Sequence, residues 1–205
     1  MKQILISIKP KWVAKILNGE KTLEIRKTAP KEWVDYLNGK TDKRPDPIIV
    51  NIYCTKGDYI GYLPKKYVGK VVARFTLMVV ERIKLPYTKF GCSEWVGCEA
   101  ERTLQTQTMN EGTLLEKSCL EEDEIYGYLN FKHSPNNVGY AWHISALEIF
   151  DDPRELSEFS VKKKYKSCFE CPHYEYDSLW HCQTCKEQVP LKRAPQSWCY
   201  VEELL

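Results

Sequence analysis

The stretch Gly19-Glu20-Lys21-Thr22-Leu23-Glu24-Ile25-Arg26 decides how the rest of this chain is interpreted. Its second half alternates polar and apolar residues, which is the period of a β-strand with two different faces. The alternation predicts that Leu23 and Ile25 share one face, and that Glu24 and Arg26 share the other. This polar face is the first candidate for a functional surface. The alternative is a solvated strand face, because charge alternation is common on half-buried strands.

A strand and a helix are predicted immediately before this stretch. Ile4, Ile6 and Ile8 alternate with other residues, which indicates a strand that is buried on at least one face. Pro10 then stands where a first helical position tolerates the missing N–H, and Gly19 follows the last apolar turn. The first part of the chain is therefore predicted to run strand, helix, strand.

The remaining chain shows several separated strand patterns and few helical ones. Residues 48–53, 70–83, 139–150 and 197–201 are predicted to form strands. Short helical pieces are predicted at 33–37 and 153–159, and the acidic run at 121–124 suits the first turn of another helix. There is no internal repeat. The pattern predicts one α+β domain whose sheet curls into a barrel.

The composition is that of an ordinary globular protein, with 43% hydrophobic and 28% charged residues in a chain of 205. Thirty basic and 28 acidic residues give a formal charge of +2, which excludes a histone-like binder. Any contact with nucleic acid would come from a local basic patch. Apolar runs are far shorter than the roughly 20 residues of a membrane span. The amino terminus lacks a secretion pattern, so we expect a cytoplasmic, reducing setting without membrane contact.

Two cysteine pairs stand out, Cys168-x-x-Cys171 and Cys182-x-x-Cys185, with ten residues between them. Each pair is a tight turn that can direct two thiolates at one ion, and two such turns complete a tetrahedral shell. The chain has nine cysteines, and an odd number fits a disulfide framework poorly. We therefore predict a structural Zn²⁺ held by these four thiolates.

Other interpretations of the cysteines stay open at this point. His173 or His181, which neighbour the two pairs, could replace one thiolate, or the four cysteines could be unliganded. A catalytic zinc is disfavoured because it needs an open coordination position. The other five cysteines have no comparable spacing and are expected to be packed thiols; they stand at positions 54, 92, 98, 119 and 199.

The opening stretch resembles the G-x-K-x-x-E-x-R signature of the ASCH (activating-signal cointegrator homology) domain, a branch of the PUA-like superfamily. Further pieces look like bacterial and phage members and follow in order along the chain: ISIKP at 6–10, YCTK at 53–56, YAWHI at 140–144 and APQSWC at 194–199. The resemblance covers essentially the whole chain, and the four-cysteine segment stands as an insertion before the last strand.

The resemblance implies a fold and a ligand class. It implies a PUA-like mixed β-barrel with flanking helices, formed by residues 1–160 and 190–205, with a zinc knuckle at 161–189. It also implies a cleft that captures RNA or a modified nucleoside. Lys21, Glu24 and Arg26, together with Lys56, would be the ligand-binding residues of that cleft.

One branch of the family hydrolyses the acetyl amide of acetylated cytidine with a lysine, a threonine three residues further on and a later glutamate. Lys21 matches the lysine, but Glu24 stands in place of the threonine. A carboxylate cannot replace a hydroxyl nucleophile without a change of chemistry. An enzyme of this kind would use Lys21 as general base or charge stabiliser and Glu24 to activate water. Glu116 is the nearest candidate for the later glutamate.

A basic and aromatic region flanks the four-cysteine segment, a combination that favours single-stranded nucleic acid, although charge runs are often simply solvated. Its members are Lys162, Lys163, Lys164, Tyr165, Lys166, Lys192 and Arg193. Trp142 and Trp198 could be stacking platforms, but tryptophan in a strand is more often core. His143 is expected to be structural, because nothing nearby completes a nucleophilic set.

Three functions follow, in order of preference. The first is a non-catalytic binding module for RNA or a modified nucleoside, and the second is an amidohydrolase that acts on acylated nucleosides. The third is a protein-interaction module in which the zinc knuckle docks a partner. Nucleotide hydrolysis and redox catalysis are disfavoured, because the chain has no phosphate-binding or dinucleotide-binding glycine fingerprint.

Overall fold

The structure, a computed structural model, describes residues 1–85, 104–134, 136–164 and 186–204. These ranges contain ten strands, four α-helices and two 3₁₀ helices. The strands are β1 (Gln3–Ile8), β2 (Leu23–Arg26), β3 (Ile48–Cys54), β4 (Val71–Leu77), β5 (Val80–Ile83), β6 (Gly139–His143), β7 (Ser145–Arg154), β8 (Phe159–Lys164), β9 (Lys186–Pro190) and β10 (Trp198–Glu203). The helices are α1 (Pro10–Leu17), α2 (Lys31–Leu37), α3 (Glu111–Ser118), α4 (Glu122–Leu129) and the 3₁₀ helices Lys65–Tyr67 and Leu156–Glu158.

The chain divides into two compact units, each assembled from separate segments. Unit 1 consists of Met1–Val13, Ile49–Arg74 and Glu148–Leu205. Unit 2 consists of Ala14–Ile48 and Phe75–Leu147. Sheets and helices occur together, which confirms the expected α+β class.

A seven-stranded sheet in the order β7-β4-β3-β1-β10-β8-β9 contains the strands of unit 1. Its central strand, β1, pairs parallel with β3 and antiparallel with β10. Five of the six residues of β1 are buried, because a strand covered on both faces needs a nearly continuous apolar run. The core beside it contains Leu5, Tyr53, Val71, Phe159 and Val201.

The helix predicted between Pro10 and Gly19 is present as α1. Pro10 is its first residue, where a missing N–H costs no intrahelical hydrogen bond. The chain leaves the helix through Gly19, whose φ of +77° lies in the left-handed region that a side chain disfavours. This turn leads the chain from the helix to β2 within a few residues.

Unit 2 is built on a three-stranded sheet in the order β2-β6-β5. Both outer strands run antiparallel to β6. Apolar residues of one sheet face pack with those of α3 and α4 into one core: Leu23, Ile25, Ile83, Leu114, Ile125, Leu129 and Ala141 are among its buried members. The helix predicted from the acidic run is α4, which begins at Glu122.

Two long strands were predicted as continuous, and this is wrong, because each of the two runs contains two strands. The run 70–83 breaks after β4. There the Arg44 guanidinium donates to the Met78 carbonyl oxygen (2.8 Å), and the backbone N–H of His143 donates to the carbonyl oxygen of Val79 (3.1 Å). The run 139–150 breaks between β6 and β7, near Ala146 with its φ of +47°. Both breaks move the chain from one sheet to the other, although the apolar pattern continues across them.

These breaks explain why the expected barrel is not seen as a closed sheet in the described part of the chain. The strands form two sheets, and β7 and β9 are the edges of the larger one. The helix predicted at 153–159 is only the 3₁₀ turn Leu156–Glu158, since β7 continues to Arg154. No helix within the described ranges is long and apolar enough to cross a membrane.

Candidate functional site

The start of β2 is held by backbone hydrogen bonds from two directions within unit 2. The Lys15 carbonyl oxygen accepts from the N–H groups of Glu20 (2.9 Å) and Lys21 (3.0 Å). The N–H of Thr22 donates to the carbonyl oxygen of Lys117 in α3 (2.9 Å). The segment between α1 and β2 is therefore fixed at both ends, and the side chain of Lys21 is directed toward the end of α3.

Three charged side chains come together at β2, and we call them the triad: Lys21, Glu24 and Arg26. The ammonium of Lys21 lies 3.4 Å from Oε2 of Glu24, and Nη2 of Arg26 lies 3.0 Å from its Oε1. The Lys21 ammonium also donates to the carbonyl oxygen of Ser118, at 2.7 Å. The three residues that the sequence motif groups are therefore in contact with one another, and their role in ligand binding stays a prediction.

The triad is buried, so the alternative of a solvated strand face is wrong. Lys21 is 2% exposed, and Glu24 and Arg26 are each 7% exposed. Charged residues this deeply buried are rare in proteins unless they are paired or functional. The alternation of β2 therefore separates an apolar core face from a second buried face that carries charge.

The charges of the triad are unequal when all three groups are ionised, with two cations against one carboxylate. Burial lowers the pKa of Lys21 below that of an ordinary lysine, and the nearby Glu24 carboxylate opposes this shift only in part. Within the triad, two cations therefore share one carboxylate. A lowered lysine pKa is also typical of lysines that act as bases.

Trp142 lies directly across from Glu24 in the β2–β6 ladder. It is completely buried, so the prediction that this tryptophan belongs to the core is confirmed and it offers no exposed stacking surface. Arg26 lies across from Tyr140, which is half-buried. The charged face of β2 thus shares its side of the sheet with aromatic residues of β6.

A second buried polar cluster in unit 2 surrounds Glu81 of β5, which is 4% exposed. The Thr106 hydroxyl donates to its Oε2 (2.5 Å), and Thr108 donates to it through both N–H (3.0 Å) and hydroxyl (2.8 Å). Nε2 of His143 lies 2.8 Å from Oε1. Burial by itself would raise the pKa of Glu81, but these hydrogen bonds hold it below its ordinary value.

Sequence reasoning missed the Glu81 cluster, although it expected a structural role for His143. The contact between Glu81 and His143 joins residues 62 positions apart, and no short sequence motif predicts it. The glutamate chosen from the sequence, Glu116, is exposed on α3 and is not part of the triad. The only available signal was that Glu81 is the one acidic residue in the predicted strand run 70–83.

Lys56, the fourth residue predicted to bind ligand, belongs to unit 1 and lies in the loop between β3 and β4. Its side chain is exposed and lines a pocket together with Gly57, Tyr59, Lys65 and Val68. It is therefore described with that pocket.

The zinc site predicted at Cys168, Cys171, Cys182 and Cys185 lies outside the described residues, as do Tyr165 and Lys166 of the basic run. Among the described residues no group of three or more potential metal ligands occurs. Lys162 forms an ion pair with Glu202, and Lys192 and Arg193 are exposed in the loop after β9.

Three of the remaining cysteines are described, and all three are free thiols. Cys54 is buried in β3, and burial raises its thiol pKa to about 11. Cys199 is half-buried and its pKa is also raised by burial. Cys119 ends α3. The prediction of packed thiols is confirmed for Cys54, while Cys92 and Cys98 lie outside the described ranges.

Solved structures that are similar to this chain include an ASCH protein and point mutants of it. The ASCH structure from Zymomonas mobilis shares 13% identity, covers 98% of this chain and 88% of its own length, and has a TM-score of 0.48. Two point mutants of the same protein, ZmASCH, match with TM-scores of 0.47 and 0.45, at 15% and 14% identity. They cover 98% of this chain and 91% and 89% of their own lengths.

No family model matches the chain, and no curated protein matches it. The structural neighbours carry the name of the family that the motif around Lys21 resembles. Identities of this size do not transfer a function, so the functional argument below rests on the residues of this chain.

Proposed function

We propose that this chain is an ASCH-type, PUA-like binding protein for RNA or a modified nucleoside, and that the triad supplies its polar binding groups. The observation that carries the proposal is the convergence of the Lys21 ammonium and the Arg26 guanidinium on Glu24 in a buried setting. Ammonium and guanidinium groups form strong, charge-assisted hydrogen bonds, and each carries several N–H donors. A phosphate or a base carbonyl would accept from these donors, and Glu24 would accept from an amino group of a base.

A substitution of Arg26 tests this binding most directly. Because Arg26 is 7% exposed, removing the whole side chain would leave Glu24 less compensated and cost stability. Arg26→Lys keeps the charge but loses the planar fork that can bind phosphate or a base edge with two hydrogen bonds. We expect this variant to remain folded and to bind about ten-fold more weakly.

The experiment is a thermal-shift screen of nucleosides, modified nucleosides and short RNAs against the purified chain, followed by titration of every compound that raises the melting temperature. Lys27→Gln is the matched control, since Lys27 follows Arg26 directly and is exposed. The proposal is contradicted if no compound raises the melting temperature, or if Arg26→Lys binds as the unaltered chain does.

A second function, hydrolysis of an acylated nucleoside, is favoured by one specific observation. The pKa of Lys21 is lowered by burial, and its amine lies 3.4 Å from the Glu24 carboxylate. A lysine that loses its proton more readily can act as a general base, with Glu24 orienting a water molecule. The reaction would consume one water and release acetate and cytidine from acetylcytidine.

Acetate release from acetylcytidine separates the two functions. Lys21→Met should abolish any turnover, whereas Thr22→Ala, which changes the exposed neighbour, should leave it intact. Absence of turnover over a panel of acylated nucleosides, together with binding of the same compounds, would leave the binding function and remove the enzymatic one.

We also propose that Cys168, Cys171, Cys182 and Cys185 hold one structural Zn²⁺. Support comes from their spacing and from the strands on either side. β8 and β9 pair antiparallel, and their last register pair joins Lys164 to Lys186, so the segment 165–185 leaves and re-enters the sheet at neighbouring positions. Because Lys164 and Lys186 are paired, less conformational entropy is lost when a metal brings its ligands together.

Metal analysis of protein purified without added zinc should find about one ion per chain. Cys168→Ser should lose the metal, and Cys119→Ser, which changes a cysteine at the end of α3, should retain it. A zinc content near zero, with four freely titrating thiols at the proposed positions, would contradict the proposal.

A further inference from the structure

A pocket of about 360 Å³ lies in unit 1, in the loop that joins β3 to β4. We call it the loop pocket, and it is lined by Lys56, Gly57, Tyr59, Lys65 and Val68. The pocket is largely open to solvent, and Lys56, Gly57 and Lys65 are exposed, so it can receive one unit of a longer ligand but cannot enclose a small molecule.

The loop that forms the pocket is held by its own backbone hydrogen bonds. At its base, the N–H of Gly69 donates to Cys54 and the N–H of Cys54 donates to Lys70, both at 2.9 Å. Within the loop, Tyr62 donates to the carbonyl oxygen of Tyr59 (2.9 Å), and Val68 donates to that of Lys65 (3.1 Å). The pocket is therefore a formed feature of unit 1.

Gly69 positions the side chain of Lys56. A Cβ at Gly69 would lie 3.0 Å from Cε and 3.3 Å from Cγ of Lys56, which is closer than carbon atoms normally approach. Gly69 also has a φ of +77°, where a side chain is disfavoured. The glycine thus allows the aliphatic part of Lys56 to lie against the backbone, which restricts the positions its ammonium can take.

The charge of the loop is positive and partly uncompensated. Residues 55–70 contain four lysines and one acidic residue, Asp58. The Asp58 carboxylate accepts from the N–H of Ile60 (3.3 Å), and Lys70 forms an ion pair with Glu155. Lys56 and Lys65 have no ion-pair partner within the described part of the chain. Two lysines that line one pocket without a counter-charge favour an anion.

Aromatic and apolar groups accompany these charges. Tyr59 lines the pocket itself. Ile60 and Tyr62, the nearest large residues along the loop, are 79% and 48% exposed. Lysines interleaved with exposed aromatic rings are the arrangement that binds single-stranded nucleic acid, because bases stack on the rings while phosphates contact the cations.

We propose that the loop pocket binds one nucleotide of a single-stranded nucleic acid, with its phosphate between the ammonium groups of Lys56 and Lys65 and its base against Tyr59. The ligand class rests on the function proposed for the triad, since the pocket itself specifies only an anion joined to a flat ring. The pocket is lined by residues of unit 1, whereas the triad belongs to unit 2. Phosphate contacts and base stacking do not depend on which base is present, so we expect tolerance of base identity.

Lys65 and Lys66 provide a matched pair for the test. They are neighbours in the same 3₁₀ helix and both are exposed, but only Lys65 lines the pocket. The Lys66 ammonium lies 5.2 Å from the centre of the Tyr67 ring. Binding of fluorescent octauridylate to the full chain should weaken about five-fold in Lys65→Gln or Lys56→Gln, and its salt slope should fall by about 0.7 per lysine. Lys66→Gln should change neither quantity.

Three results would overturn the inference: no binding of octauridylate at low salt, equal losses in Lys65→Gln and Lys66→Gln, or an unchanged salt slope in Lys56→Gln. Two further ligands are measured, octathymidylate in the same binding assay and uridine 5′-monophosphate as a competitor. Equal losses for both octamers support recognition through phosphate and base stacking, and competition by the monophosphate that Lys65→Gln weakens supports a one-nucleotide site.

The same variants separate this inference from the function proposed for the triad. Lys65→Gln should leave the melting shift caused by a neutral nucleoside unchanged, whereas Arg26→Lys should reduce that shift. If Lys65→Gln and Lys66→Gln differ for octauridylate while Arg26→Lys has no effect on nucleosides, the loop pocket stands and the triad proposal fails. The reverse pattern removes the loop pocket and keeps the triad.

Discussion

Glu24 and Glu81 are two buried carboxylates on the outer strands of the same three-stranded sheet, and they are stabilised in opposite ways. Glu24 is 7% exposed and lies between two cations, Lys21 and Arg26. Glu81 is 4% exposed and receives hydrogen bonds from Thr106 and Thr108, with the imidazole of His143 beside it. The first carboxylate is stabilised by charge, and the second mainly by neutral donors.

The β-ladder explains how one sheet holds both environments. Glu24 lies opposite Trp142 of β6, and Glu81 lies opposite its neighbour Ala141. Successive residues of a strand face opposite sides of the sheet, so the two carboxylates occupy different faces. The Glu81 carboxylate accepts hydrogen bonds from threonine donors, whereas the Glu24 carboxylate is shared by two cations. Because cations can also donate to a phosphate or a base carbonyl, the triad and not Glu81 is the site that we propose for the ligand.

The largest effect in this comparison is expected for Glu24→Gln. The change keeps the shape of the side chain but removes the carboxylate with which both buried cations pair, and breaking a buried ion pair typically costs about 3–5 kcal/mol. Urea unfolding of the variant measures the loss. Glu20→Gln is the control: Glu20 is exposed and its ion pair with Lys15 (3.1 Å) lies at the surface, so its unfolding midpoint should hardly change. An equal midpoint for both variants would contradict the buried triad.

A smaller effect is expected for Glu81→Gln, about 1–3 kcal/mol. The amide retains one acceptor oxygen, and the hydroxyl groups of Thr106 and Thr108 can rotate to accept from its new N–H. Urea unfolding should therefore place this variant between the unaltered chain and Glu24→Gln. A cost as large as that of Glu24→Gln would mean that the Glu81 cluster also depends on charge and would remove the contrast.

The smallest effect is a dependence of stability on pH that comes from Lys21. Because the pKa of Lys21 is lowered in the folded protein, the unfolded chain binds more protons between that pKa and the ordinary 10.5. Stability conferred by this group therefore rises with pH across that window. In urea unfolding from neutral to alkaline pH, the unaltered chain should gain stability relative to Lys21→Met.

Lys31 is the control for that measurement, because its pKa is raised by Asp35, with which it forms an exposed ion pair. A group whose pKa is raised loses its stabilising effect as the pH rises through its folded-state pKa. The unaltered chain should therefore not gain stability relative to Lys31→Met as the pH rises. A constant difference between the unaltered chain and Lys21→Met would contradict the lowered pKa.

The beginning of the fold was predictable from local signals. The alternating isoleucines of β1, Pro10 at the start of α1 and Gly19 after it are all short-range patterns, and each appears where it was predicted. The division of residues 70–83 into β4 and β5 was not predictable, since Leu77, Met78, Val79 and Val80 form an unbroken apolar run. The break depends on a hydrogen bond from Arg44, 34 positions away.

The candidate site shows the same limit. The motif grouped Lys21, Glu24 and Arg26, but α3 was not predicted, because its apolar pattern is weak and its start depends on the Asn110 side chain accepting from Thr113 (2.9 Å). Without α3, nothing in the sequence indicated that the Lys21 ammonium would be covered. The Glu81 cluster was missed for a related reason, since Glu81 and its partners come from three separate segments of the chain.

By itself, the order of residues determined which side chains of β2 stand on the same side, because the two-residue period of a strand is a local property. Only the tertiary structure decided that the charged side is largely buried. That outcome needs the Ser118 carbonyl oxygen, 97 positions beyond Lys21, to reach the ammonium. Contacts over such distances depend on how whole elements pack, and no local pattern encodes them.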